Sequence, residues 1–230
     1  DLPGKYTDTD DKTHMVTNVT PTEFYRHHVP WKSSDLVCLV NDPRNAYQQL
    51  YTVKYLGNVV EGTPIKYLNV PVERLKSLAL ASLKQNEPVW FGCDVMKHFH
   101  RDECAMDLEL VDTQPLFGVT YQQDKANRLH YGESLMTHAM VFTGAESETA
   151  SNCVKNSSQE AQVSNWQVEN SWADKGPSKG FYNMSDGWFS EYVFEVVVDK
   201  SLLSTSEQQL LNGDNIMELP PWDPMGALAD

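Results

Sequence analysis

At 230 residues, with 40% hydrophobic residues, six Trp and ten Tyr, the chain has the size and composition of a packed globular protein, enough for one large domain or two small ones. A formal net charge of −14 argues against nucleic acid as a partner, because phosphate backbones reward clustered Lys and Arg. No apolar run approaches the ~20 residues that span a bilayer, so no membrane partner is expected. The opening DLPGKYTDTDDKTH is polar and acidic, neither signal peptide nor anchor. The chain starts at Asp1 rather than methionine, and an upstream segment is therefore expected.

In chain order, the first ~20 residues read as a solvated loop by their low hydrophobicity. Thr22 to His28 follows Pro21, as a short helix does when proline occupies its first turn. The runs LVCLV and QLYTVKYL, between Asp35 and Asn58, read as strands parted by the Asn41-Asp42-Pro43 turn. Asn69 to Gln85 is the clearest helix, with Val72, Leu75, Ala79 and Leu83 on one face and Pro71 in the first turn. Val89 to Val95 is apolar on both faces, as in a central buried strand.

Residues 98–130 are polar and irregular apart from LFGVTY. Strand signals follow at His138 to Thr143, Trp166 to Trp172 and Tyr192 to Val198, with Gly144 to Ser164 reading as an exposed insertion. Ser204-x-x-Glu207 is a capping box before a short helix that Gly213 can end. The proline-rich end, LPPWDPMGALAD, is expected to run extended. One long helix followed by strands with irregular connections predicts an α+β unit around an antiparallel sheet or barrel.

The chemistry centres on two strands. Alternation along THAMVF puts His138, Met140 and Phe142 on one side. In the second strand Trp166, Val168, Asn170 and Trp172 share a face, so a carboxamide interrupts an apolar stripe. A buried amide without a partner costs ~1–3 kcal/mol, and an imidazole on a neighbouring strand would supply one. An imidazole held by a carboxamide can ionise a thiol beside it, and an overlying indole keeps water from the bond.

The run Leu135 to Met140 and the run Trp166 to Trp172 resemble the His and Asn boxes of the papain superfamily of cysteine peptidases. Four further segments are similar to the bleomycin hydrolase branch of that superfamily: Val89 to Phe99, Gly132 to Leu135, Asp186 to Val193 and Trp222 to Ala229. The resemblance implies an α+β papain-like fold. The chain would hold mainly the β-barrel half of the catalytic domain, part of a helical insertion and a C-terminal extended arm. In numbers, 1–40 would end the helical insertion segment, 41–214 form the β-rich half, and 215–230 the arm lying in the active-site cleft.

The resemblance further implies that His138 is the general base, Asn170 its orienter and Trp172 their shield. Ala229 and Asp230, at the end of the arm, would recognise a substrate N-terminus. The nucleophile of the family sits in a Gln-x-x-x-Cys-Trp context, which none of Cys38, Cys93, Cys104 and Cys153 has. The catalytic cysteine and the oxyanion-hole glutamine are therefore expected on an N-terminal segment of the same enzyme, as a partner to this chain. Peptide substrates, a homohexamer and a cytosolic location follow from the same resemblance; no cofactor and no metal are implied.

Blander readings stand beside these. A lone His138 is by default a satisfied structural histidine, and Asn170 alone a strand-end turn residue. Trp172 packs the core in either case. The His98, His100 and Cys104 group carries zinc-ligand types but lacks a second paired element. The Asp8, Asp10 and Asp11 stretch lacks the glycine and glutamate of a calcium loop. The four cysteines have no CxxC spacing and read as reduced thiols, although four can in principle pair. A disordered tail in place of an arm, and a non-catalytic assembly or binding subunit in place of an enzyme part, stay open.

Overall fold

The computed structural model describes residues 4–8, 10–29, 32–57, 60–110, 113–119, 123–147, 163–172 and 178–229. The acidic opening, expected as a loop, instead pairs with itself: β1 (Gly4–Thr7) and β2 (Thr13–Val16) form an antiparallel hairpin. The turn chemistry lies in Asp8, whose carboxylate accepts from the Asp10 N–H at 3.0 Å, the Lys12 N–H at 2.9 Å and His14 Nε2 at 2.6 Å. Helix α1 (Pro21–His28) starts at a reciprocal Thr20–Glu23 capping box with proline in its first turn. These elements belong to a compact unit, Asp1–Leu36, separate from the unit Val37–Asp230.

The second unit is built on one sheet. Its elements are β3 (Leu36–Val40), β4 (Gln49–Val53), β5 (Tyr67–Asn69), α2 (Val72–Lys84), β6 (Val89–Cys93), β7 (Phe99–His100), β8 (Ala105–Met106), α3 (Thr113–Phe117) and α4 (Lys125–His130). They are followed by β9 (His138–Ser147), β10 (Val163–Glu169), β11 (Phe181–Ser185), α5 (Asp186–Tyr192), β12 (Val193–Asp199), α6 (Thr205–Leu211) and β13 (Ile216–Leu219). Eleven strands bond in the order β13-β4-β5-β3-β12-β6-β9-β10-β11-β8-β7. The sheet is mixed rather than antiparallel throughout, since β13 with β4, β3 with β5, and β11 with β8 run parallel.

The predicted helix begins three residues later than its periodicity suggests, because Tyr67–Asn69 is drawn into the sheet as β5. Pro71 caps α2, which buries Leu75, Leu78, Ala79 and Ser82 against β6, β9 and β12. The core there includes Phe91, Phe142, Trp166 and Phe189, with Phe91 and Phe142 stacked at 3.8 Å between centroids. Trp90 is the exception in the central strand: it is exposed, so β6, although apolar on both faces, is not buried on both. Part of the segment expected to be irregular, 98–130, folds into the short elements β7, β8, α3 and α4. Gly144 to Ser147 continue β9, while 148–162 of the expected insertion lie outside the described residues.

Helix α6 has the Ser204–Glu207 box that its sequence announces. Glu207 also takes Arg74 Nε at 2.9 Å and Nη2 at 2.7 Å, and the Arg74 guanidinium, with Ser204, holds its carboxyl down at about 2. That folded value lies below the ordinary 4.5, so the stabilisation is full above pH 4.5 and is lost as pH falls towards 2. Glu207→Gln is expected to cost about 1–3 kcal/mol at pH 7. Its urea midpoint should approach that of the wild type as the pH is lowered from 5 to about 3.

The C-terminal segment runs extended only as β13, parallel to β4. It then turns and closes in a 3₁₀ helix, Pro224–Ala229. Asp223 accepts the Met225 N–H at 2.9 Å and its carbonyl accepts the Gly226 N–H at 2.9 Å. A side-chain acceptor just before Pro224 thus starts a turn that composition alone reads as extended.

Candidate active site

His138 is the first residue of β9, fixed between two antiparallel neighbours. On one side it is the register partner of Cys93 in β6; on the other, Val141 and Phe142 pair with Glu169 and Val168 of β10. The predicted alternation holds, with Met140 and Phe142 buried on the face that His138 shares. Asn170 directly follows β10, and its N–H donates to Gly180 O at 3.0 Å. Gly180 has φ +93°, a conformation that favours glycine.

His138 Nε2 and Asn170 Oδ1 are 3.1 Å apart. A carboxamide oxygen only accepts, so the ring donates from Nε2, and in the neutral imidazole the lone pair sits on Nδ1. Among the described residues, no hydrogen bond reaches Nδ1. Asn170 is 5% exposed, and its Nδ2 is buried without a partner among the described residues. The Trp172 ring lies 5.3 Å from the His138 ring at 39°. It is wedged by Phe99 at 5.8 Å and Tyr182 at 6.3 Å, both edge-on, and the Arg101 guanidinium lies 5.7 Å from its centre. Three of the five expected site residues, His138, Asn170 and Trp172, are therefore brought together.

The approach to His138 is pinned residue by residue, which no sequence pattern announces. Ser134 Oγ donates to Asp94 Oδ2 at 2.9 Å and the Leu135 N–H to the same oxygen at 3.4 Å. The Met136 N–H donates to Pro224 O at 3.4 Å and the Thr137 N–H to Cys93 O at 3.0 Å. The expected terminal pair is described less fully. Ala229 ends the last 3₁₀ helix, and Asp230 lies outside the described residues.

None of the described cysteines is set up as a nucleophile. Cys38, Cys93 and Cys104 are free, and Cys153 lies outside the described residues. Cys93 faces the right neighbour, but it is fully buried and burial pushes its thiol well above the ordinary range. Cys38 is likewise pushed up by burial and by Glu195 beside it. Cys104 donates to Arg101 O at 3.4 Å and lies 2.8 Å from Ser178 Oγ. His98 stacks on Tyr192, and His100 Nδ1 accepts the Glu103 N–H at 3.2 Å, so this group is spent on loop structure. Among the described residues no three His, Cys, Asp or Glu converge as metal ligands, and no helix is long and apolar enough to cross a membrane.

Comparison with known proteins gives the constellation a context. Bleomycin hydrolase of Homo sapiens is 45% identical over 231 residues, covering 98% of this chain and 49% of that protein. Aminopeptidase C of Streptococcus thermophilus is 39% identical over 226 residues, covering 97% of this chain and 48% of that protein. The crystal structure of pepW from Lactobacillus rhamnosis HN001 superposes with a TM-score of 0.89 at 38% identity, over 99% of this chain and 49% of that one. The chain thus spans about half the length of the relatives it matches, and it has their papain-like peptidase fold. The family model described as the Peptidase C1-like family matches residues 3–226, and the chain belongs to that family.

Proposed function

We propose that this chain is the base-bearing part of a cysteine aminopeptidase, acting with a segment that carries the catalytic cysteine. The observation that carries the reading is the Nε2–Oδ1 contact of 3.1 Å between His138 and Asn170, beside the Trp172 ring. Asn170 holds the tautomer in which Nδ1 is the free base. Nδ1 takes the thiol proton; the thiolate attacks the carbonyl carbon next to the substrate's free α-amine; His138 returns the proton to the leaving amine and a thioester forms. Water, deprotonated by the same nitrogen, then hydrolyses the thioester.

The arm after β13 narrows the substrate class. A carboxylate contributed by Ala229 and Asp230 would pair with a substrate α-ammonium at a set distance from the nucleophile, favouring peptides with a free N-terminus. Free thiols at Cys38, Cys93 and Cys104 support a reducing compartment such as the cytosol. The division into 1–40, 41–214 and 215–230, and a homohexameric assembly, belong to the same reading.

Reconstitution tests it. Co-expressed with a family N-terminal segment carrying Gln-x-x-x-Cys-Trp, this chain should co-purify with it and hydrolyse an aminoacyl coumarin amide. A stable complex without turnover would favour a non-catalytic binding subunit instead.

A further inference from the structure

The loop between β3 and β4 is locked more heavily than a connection requires. Asn41 Nδ2 donates to Val70 O at 2.9 Å, and Lys125 Nζ donates to Asn41 Oδ1 at 2.8 Å. The Asp42 N–H donates to Asn69 Oδ1 at 2.9 Å, while Asn69 Nδ2 reaches the carbonyls of Asp42, Asn45 and Ala46 at 3.0, 3.2 and 3.2 Å. What this scaffold presents is one guanidinium. Asp42, 3% exposed at its side chain, takes Arg44 Nε at 2.9 Å and Nη2 at 2.7 Å. The same Nη2 reaches across 179 positions of sequence to Asp223, at 2.9 and 3.2 Å from its two oxygens. Asp223 is 8% exposed.

Asp223 opens the turn that leads into the arm, and the next three residues are all held. Pro224 O accepts the Met136 N–H at 3.4 Å. Met225 is buried in a cluster with Val40, Tyr51, Tyr67 and Met136. At Gly226 a Cβ would meet Val53 Cγ1 at 3.1 Å and Leu56 Cδ1 at 3.6 Å. Met136 stands two residues before His138, so the arm is in register with the strand that carries the proposed base. Apolar burial alone tolerates a slip, since one side chain can replace another in the cluster. A buried carboxylate does not, because a shift of one position strands it away from the Arg44 cation.

We infer that Arg44 is a specificity-determining positioning residue, which latches Asp223 and so sets how far the arm reaches relative to His138. The inference rests on the aminopeptidase reading of the arm. If it holds, loosening the latch blurs the distance between the carboxylate and the nucleophile, and the enzyme loses preference for a free α-amine. A misplacement of about 1 Å is worth on the order of 100-fold in a well-aligned site.

The test compares an aminoacyl arylamide with its N-acetylated counterpart in the complete enzyme, for Arg44→Met, Arg44→Lys, Asp223→Asn and a truncation after Gly226. Asp223→Asn keeps an acceptor for the Met225 N–H, so it remains informative if Arg44→Met fails to fold. The expected result is a fall of about tenfold or more in the ratio of free-amine to acetylated kcat/KM for Arg44→Met and Asp223→Asn, on the same alignment argument. The change should fall mainly on KM for the free amine, and Arg44→Lys should be intermediate. A parallel loss on both substrates, or an unchanged ratio, would overturn the latch. If the truncation moves the ratio and the latch variants do not, the latch alone is wrong; if the truncation leaves it unmoved, the arm reading itself fails.

Discussion

His138→Ala in the complete enzyme is expected to lower kcat/KM for an aminoacyl coumarin amide by about 10³-fold or more. Two losses combine in that figure. General acid–base catalysis by a positioned histidine contributes roughly 10²–10⁴-fold, and the ion pair that keeps the nucleophile as thiolate disappears with the ring. A catalytic thiol beside an imidazolium titrates within roughly pH 3.5–7.5, whereas a free one titrates near 8.5. The rate at which iodoacetamide alkylates the catalytic cysteine should therefore shift to higher pH in the variant. His138 is only half-buried at the start of β9, so the sheet should survive its truncation. Wild-type-like turnover in a folded His138→Ala enzyme would end the assignment.

Asn170→Ala carries the second-largest expected effect, and it has two separable parts. The chain loses a buried side chain and leaves the Nε2–H of His138 unpaired, which costs about 1–3 kcal/mol of stability. The ring also loses the acceptor that holds its tautomer and rotation, for which a loss of roughly 10²-fold in kcat is expected. Asn170→Asp separates the two. A carboxylate keeps the acceptor and so should retain more activity than alanine. Its charge favours the imidazolium, so the limb of the pH–rate profile set by His138 should move to higher pH. Equal activities for the two variants, measured on enzyme of equal active-site titre, would remove orientation from the account.

How much of this was legible in the sequence depends on how local the determining interaction is. The start of α1 was readable from Pro21 in its first turn, and the capping box of α6 because Ser204–Glu207 completes its bonds within four residues. The alternation of β9 and of Trp166, Val168 and Asn170 was readable because burial of one face imposes a period of two. The hairpin β1–β2 was hidden because its turn is closed around Asp8, by its carboxylate and its backbone, rather than by a Gly- or Pro-type turn signal. The short strands β7 and β8, of two residues each, carry too few residues to show a period.

The candidate site divides the same way. His138, Asn170 and Trp172 were named from their boxes and meet in space. The groups that fix them were not, because Asp94 with Ser134, Pro224 with Met136, and Arg44 with Asp223 join positions 40, 88 and 179 residues apart, distances that no periodicity spans. The C-terminal turn was misread for a related reason: the proline-rich composition of 215–230 points to extension, and the Asp223 carboxylate redirects it.

The central claim, that His138 serves a cysteine delivered by another segment, is tested most directly by a crystal structure of the complete enzyme. The account predicts the catalytic sulfur within about 4 Å of His138 Nδ1, with Asn170 Oδ1 still on Nε2. A sulfur bonded to Nε2, or a different group seated at Nδ1 with the cysteine out of reach, would contradict it.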